Sequence, residues 1–262
     1  MGIIKGIFKL LLSNLFILSL LIFVLASAFH SSLSPEYFKA QTKGFLKDTP
    51  GFQSSIGQVY NYSQIYFFNL NKTEEIVPED LNLPFKLSIT KQDASVTKEE
   101  FENAIFEKLA DSMYNQEQET PLGRMSIASM DKKVNGYKKI SIILSVIFGL
   151  ALFLLFSGRF VLLGIDFLVT SIFYFPFKFI FYIIGKRAVE SLPAGAEATA
   201  GVQNFLGGVL LNSLSVATTY FFYFLVAGVA FVVIGILVKI LRIGLWFQSF
   251  FEKKENRMKV KK

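Results

Sequence analysis

The sequence predicts an all-α membrane protein: four transmembrane helices with a mainly helical extracytoplasmic domain between helices 1 and 2. Three observations lead there. Apolar residues gather in runs of about 20, the helical length that crosses a hydrocarbon core of about 30 Å. Only 18% of the 262 residues are charged while 52% are hydrophobic, where a water-soluble domain is charged at about a quarter of its positions. The charge that exists is concentrated from about Ser31 to Lys139 and again after Lys253, and the first of these segments repeats its apolar residues at a helical period.

Residues 1–30 hold the first span. Leu10 to Phe29 is a 20-residue run interrupted by Ser13, Asn14, Ser19 and Ser27, and it follows Lys5 and Lys9. Ala26-Ser27-Ala28 has the small residues of a signal-peptide cleavage site, yet the run exceeds the usual apolar core of about 7–15 residues. A retained anchor is expected, and in either case the segment that follows is exported.

Residues 31–138 form the outer domain. Ser34-Pro35 places a capping residue before a proline at the first helical position, with Tyr37, Phe38, Gln41 and Phe45 continuing at helical spacing. Phe52, Ile56, Val59, Tyr60, Ser63, Phe67 and Leu70 mark a second helix. Thr97-Lys98-Glu99-Glu100 is a capping box, in which hydroxyl and carboxylate satisfy each other's orphan backbone donors. Phe101, Ile105, Leu109 and Met113 then form one apolar face, expected to pack inside the domain. Leu83, Phe85, Leu87 and Ile89 alternate with polar residues and Pro84, an extended pattern over 78–90.

Residues 139–185 read as a hairpin of helices 2 and 3. Ile140 to Phe156 meets Phe160 to Ile184 across Ser157-Gly158-Arg159, and Pro176 predicts a kink, not a break, in the third run. Residues 186–217 are expected to be an outer loop and an interfacial helix, 218–243 the fourth span and 244–262 a basic tail. The division rests on length: Phe205 to Val238 has 34 residues and is interrupted by Asn212, Ser213, Ser215, Thr218 and Thr219. The small-residue stretch Leu192 to Gly201 reads as a loop. Basic residues near both ends, Lys5 and Lys9 at one and six Lys or Arg from Lys253 to Lys262 at the other, predict cytoplasmic termini in a multi-pass protein of the cell membrane. Lys186 and Arg187 at the outer end of the third run oppose that orientation.

The chemistry is sparse. The chain has no cysteine and a single histidine, His30, so a His/Cys zinc site, a haem site or a Ser-His-Asp constellation is not assembled from these residues. No phosphate-cradling glycine motif occurs. The net charge of +7 sits beside the apolar runs and reads as topology signal and lipid contact, not as a nucleic-acid groove. No cofactor and no metal are expected; the lipid bilayer is the partner that composition implies.

Asp166 and Lys178 are ionisable groups inside a run, which makes them functional candidates. Their twelve-residue separation places them about 18 Å apart along a helix, too far to pair, so each is expected to extend towards its own interface. The alternative is a polar seam of Lys178 with Ser171, Tyr174 and Tyr182 facing another span. Asn61 and Asn71 sit in N-glycosylation patterns. Gly228 and Gly235, one heptad apart, offer a smooth strip for a neighbouring helix.

One span, an outer domain of about a hundred residues and three further spans resemble, in topology alone, the transmembrane subunits of the FtsX and MacB type. That resemblance implies an outer domain relaying force between a cytoplasmic ATPase and an external partner. The joint at Ser157 to Arg159 departs from that type, which has a longer cytoplasmic loop. Claudin-like proteins also share four spans and a long first outer loop, but their Trp and paired cysteines are missing, since Trp246 is the single tryptophan. The expected function is therefore a non-catalytic integral membrane protein, not an enzyme, whose outer domain binds or scaffolds a partner at the cell surface or envelope. A transport or mechanotransmission subunit is the alternative.

Overall fold

A computed structural model describes residues 2–49, 51–76, 88–120, 123–156, 158–190 and 198–259. It is about 88% helical. In chain order the elements are α1 (Gly2–Leu33), α2 (Pro35–Asp48), α3 (Phe52–Gln64), a π-helical turn (Ile65–Asn69), α4 (Lys91–Ala94), α5 (Lys98–Asn115), β1 (Gln118–Thr120), β2 (Gly123–Met125), α6 (Ile127–Leu155), α7 (Arg159–Ile172), α8 (Tyr174–Glu190) and α9 (Ala198–Lys259). Among the described residues four helical stretches are long and apolar enough to cross a membrane, Ile3–Leu33, Ile127–Leu155, Arg159–Ile183 and Asn204–Arg242, which makes this a multi-pass membrane protein.

The helices divide into two compact units. The first comprises Met1–Leu25, Tyr137–Phe177 and Ala217–Lys262. Its interior is aromatic: Phe167 meets Phe16 edge-on at 5.3 Å and stacks on Phe231 at 5.8 Å, and Phe23 meets Tyr220 at 4.9 Å. Val24, Leu152 and Ala217 are completely buried, whereas Ile147 and Leu154 turn outward as side chains facing lipid would. Polar groups on these helices are spent on one another. Ser145 donates to its own helix at the Ser141 carbonyl (2.8 Å) and lies 2.8 Å from Ser19 of α1.

Glycines set how closely α7 and α9 approach. A Cβ on Gly164 would lie 2.8 Å from the Gly228 carbonyl oxygen, one on Gly228 2.9 Å from that of Gly164, and one on Gly235 2.9 Å from the Val161 amide nitrogen. The smooth strip at Gly228 and Gly235 is therefore occupied by α7, backbone against backbone, as small-residue helix interfaces in membranes are. Gly158 takes the left-handed conformation (φ 79°) that lets the chain turn from α6 into α7, and Phe153 meets Phe160 across that turn at 5.1 Å.

The second unit comprises Ala26–Gly136 and Lys178–Val216. Its core joins Leu46 of α2, Ile56 of α3, Phe67 of the π-turn and Phe101, Ile105, Phe106 and Leu109 of α5, so the apolar face expected on α5 packs within the domain. The Thr97 box forms as expected: the Thr97 N–H donates to Glu100 (3.1 Å) and the Glu100 N–H to Thr97 Oγ1 (3.4 Å). A second box, Thr90 with Asp93, caps the single turn of α4. Asp93 Oδ2 also accepts from Lys108 Nζ at 2.6 Å. Burial alone would raise the Asp93 carboxyl; the Lys108 bond and charge and the Thr90 donors outweigh it and hold the group below the usual range.

Four expectations need correction. The third run is interrupted at one residue within the span Arg159–Ile183: Phe173 donates to Thr170 instead of to residue 169 (3.1 Å), beside the Ile172 carbonyl that Pro176, having no N–H, cannot donate to. The polar cluster at 212–219 does not divide α9, which runs unbroken from Ala198 to Lys259. Its polar side chains have partners in the second unit: Ser213 lies 2.7 Å from the Ser32 hydroxyl, and Asn212 donates to Ser31 and Ser32. Phe205 packs on Phe38 (5.7 Å), so this part of α9 covers α2. The second unit is mainly helical, with one short hairpin in which β1 and β2 pair antiparallel from Gln118↔Met125 to Thr120↔Gly123. Of the extended stretch expected over 78–90, residues 77–87 lie outside the described residues; at its end Ile89 exchanges two 2.9 Å bonds with Ile76. Of the expected loop Leu192 to Gly201, residues 191–197 lie outside them too, while Ala198 to Gly201 are already helical.

Candidate functional site

Two polar clusters stand out, one in each unit. In the first unit the fourth correction applies: Asp166 does not reach for an interface. It is 3% exposed, and Ser13 Oγ of α1 donates to its Oδ1. Its own helix is held alongside by Thr170, whose hydroxyl donates to the Asp166 carbonyl at 2.8 Å. The second carboxylate oxygen, Oδ2, is buried and has no hydrogen-bond partner among the described residues. A buried polar atom without a partner is costly, so Asp166 is the most demanding polar group of the bundle.

The remaining members of the expected seam are less confined. Ser171 donates to its own helix at the Leu168 carbonyl (2.7 Å), Tyr174 meets Phe221 at 6.0 Å, and Lys178 is exposed on α8. Tyr182 is 67% exposed.

In the second unit His30, Asp131 and Tyr114 converge from α1, α6 and α5. His30 Nδ1 lies 2.6 Å from Asp131 Oδ1, and the Tyr114 hydroxyl donates to Asp131 Oδ2 at 3.3 Å. The carboxylate thus accepts on both oxygens. Asp131 is 9% and Tyr114 6% exposed, while the His30 side chain keeps 24% of its surface. Burial first, and then the Asp131 charge and hydrogen bond, push the Tyr114 phenol up to about 12. Phe38 at 5.8 Å and Lys39 Nζ at 5.9 Å complete the surroundings of the Tyr114 ring, and Lys39 is itself paired with Asp111.

A histidine oriented by a carboxylate is two-thirds of a nucleophilic triad, but no hydroxyl is hydrogen-bonded to His30 Nε2 among the described residues. What the arrangement does is tie three helices together. The sequence signals only the histidine, the one in the chain and at the end of the first apolar run, and not its partner, because 101 residues separate His30 from Asp131.

The surface of the second unit offers one further feature. The π-turn inserts an extra residue into the helical period, so that Phe67 is fully buried while Tyr62, Ile65, Phe68 and Leu70 are 56%, 51%, 46% and 60% exposed. Asn61 lies exposed in α3, and Asn71 follows the ridge in the left-handed conformation (φ 49°), also exposed.

Comparison with protein-family models, with curated proteins and with solved structures returns no match.

Proposed function

We propose that the protein is a non-catalytic membrane scaffold whose helical domain projects outside the cytoplasm, with both termini inside, and holds a protein partner there. The observation that carries this reading is the aromatic ridge Tyr62, Ile65, Phe68 and Leu70. The domain core beneath it is already complete around Phe67 and Phe101, so these side chains add nothing to the fold by being exposed. Contiguous exposed apolar side chains of this kind mark interaction surfaces, and aromatic residues dominate the energetic centres of interfaces. A glycan on Asn71 would border the ridge.

A photo-crosslinking residue at Phe68, in the full-length protein in its own membrane, should capture one predominant protein, and adding Ile65→Asp on the same ridge should abolish the capture. Crosslinks to lipid alone would overturn the reading. Orientation is separable from it: the chain contains no cysteine, so Asn71→Cys, Arg187→Cys and Lys262→Cys each carry a single thiol. A membrane-impermeant maleimide should label Asn71→Cys and Arg187→Cys on intact cells and leave Lys262→Cys unlabelled.

The buried Asp166 favours a second reading, a transport or mechanotransmission subunit of FtsX/MacB-like topology. Asp166→Asn with an unchanged cellular phenotype would remove it.

A further inference from the structure

The geometry points to a binding site for an anionic phospholipid in the first unit, with its phosphate among Lys9, Arg159, Lys239 and Arg242 and one acyl chain in an aromatic groove. The four cations come from three helices, α1, α7 and α9, and border one open cavity of about 1040 Å³. None of them makes an ion pair among the described residues. Arg159 is held in place by the Phe153 ring, 4.9 Å from its guanidinium carbon. Asp166 lies within electrostatic reach of Lys9, but it is buried and bonded to Ser13.

The N-terminus of α7 supplies a second, independent attraction for an anion. Its N-cap is Gly158, no side chain caps it, and no acidic residue occupies its first turn. Gly158, Arg159, Phe160 and Val161 all border the cavity. The first backbone N–H groups of a helix have no partner within it and carry the positive end of its dipole. Basic side chains and helix N–H groups together favour an anionic group over an uncharged polar one.

The apolar half of the ligand follows from what adjoins this cavity. Phe153 and Phe160 also border a second cavity of about 560 Å³, lined by Phe16, Phe167, Phe224 and Phe231 among others. Ser145 is the polar side chain on its wall, and its hydroxyl is already engaged by Ser19 and Ser141. A free phosphate has no use for such a groove, whereas a phospholipid fills both. The depth agrees: Arg159 begins one apolar span and Arg242 ends another, which is where headgroups lie.

The test is native mass spectrometry of the full-length protein in mild detergent, titrated with phosphatidylglycerol, phosphatidylcholine or inorganic phosphate. Phosphatidylglycerol should be retained at least about tenfold more strongly than phosphatidylcholine, and each removed cation should weaken it about fivefold, so that Arg159→Gln with Arg242→Gln costs roughly 25-fold. Val146→Trp, which fills the groove from an outward-facing position, should weaken phospholipid retention. Equal retention of the two lipids overturns the inference, and so does inorganic phosphate binding as tightly as lipid. A control on the unaltered protein does not depend on how the variants fold: high salt should erase the preference for phosphatidylglycerol, and a preference indifferent to salt rules the site out.

Discussion

The two units are both built from helices, yet they are stabilised by different physics. The second unit follows the rules of proteins in water: two capping boxes, an Asp93–Lys108 ion pair, charged exteriors and a compact apolar core around Phe101 and Phe106. The first has neither the boxes nor the ion pairs among its described residues; its helices are joined by glycine contacts, edge-on phenylalanines and serine pairs. The difference reflects the solvent. Where lipid surrounds a helix, burying an apolar face gains little, and association depends on close packing and on polar groups that need partners. Where water surrounds it, apolar burial dominates.

The contrast can be broken most forcefully from the second unit. Phe106→Ala empties a position that is 1% exposed and should cost about 3–5 kcal/mol; hydrogen exchange should then rise throughout α2, α3 and α5 with the spans unaffected. Gly228→Val is the counterpart in the bundle. Its Cβ would meet Leu168 Cγ at 2.8 Å, an overpacking worth about 1–3 kcal/mol, read as earlier unfolding in denaturing detergent while α5 keeps its protection.

Asp131→Asn sharpens the comparison, because it loosens the polar tie among α1, α5 and α6 without touching either core. A loss of about 1–2 kcal/mol is expected, together with a shift in ultraviolet titration: the Tyr114 phenol, at about 12 in the native chain, should move towards 10 when the neighbouring charge is gone. The sign is that of a raised pKa. Its stabilising contribution is complete below pH 10 and is lost as the pH rises through about 12. The smallest effect belongs to Thr97→Ala, which removes one capping acceptor at about 1 kcal/mol and should appear as faster exchange confined to the first turn of α5.

What could be read from the residues was whatever is local. The capping box at Thr97, the helical repeat of Phe101, Ile105 and Leu109, and the length of the apolar runs all depend on neighbours within a few positions, and the structure has them. The Thr90 box escaped notice because the helix it starts is only four residues long and has no periodic face. The polar cluster on α9 was misread for a different reason. Serines and asparagine inside an apolar run look like a boundary unless their partners are known, and Ser32 lies 181 positions from Ser213. Separations of 153 and 101 positions likewise hid Asp166 with Ser13 and His30 with Asp131.

The backbone-on-backbone meeting of α7 with α9 has one more implication. The contact of Gly164 with Gly228 is itself made by backbone atoms, which carry no charge for protons or salt to act on, so conditions that would disturb the Asp131 cluster act on it only through its neighbours. These two helices form a strut of fixed width, and any motion of α1 or α6 can be gauged against it.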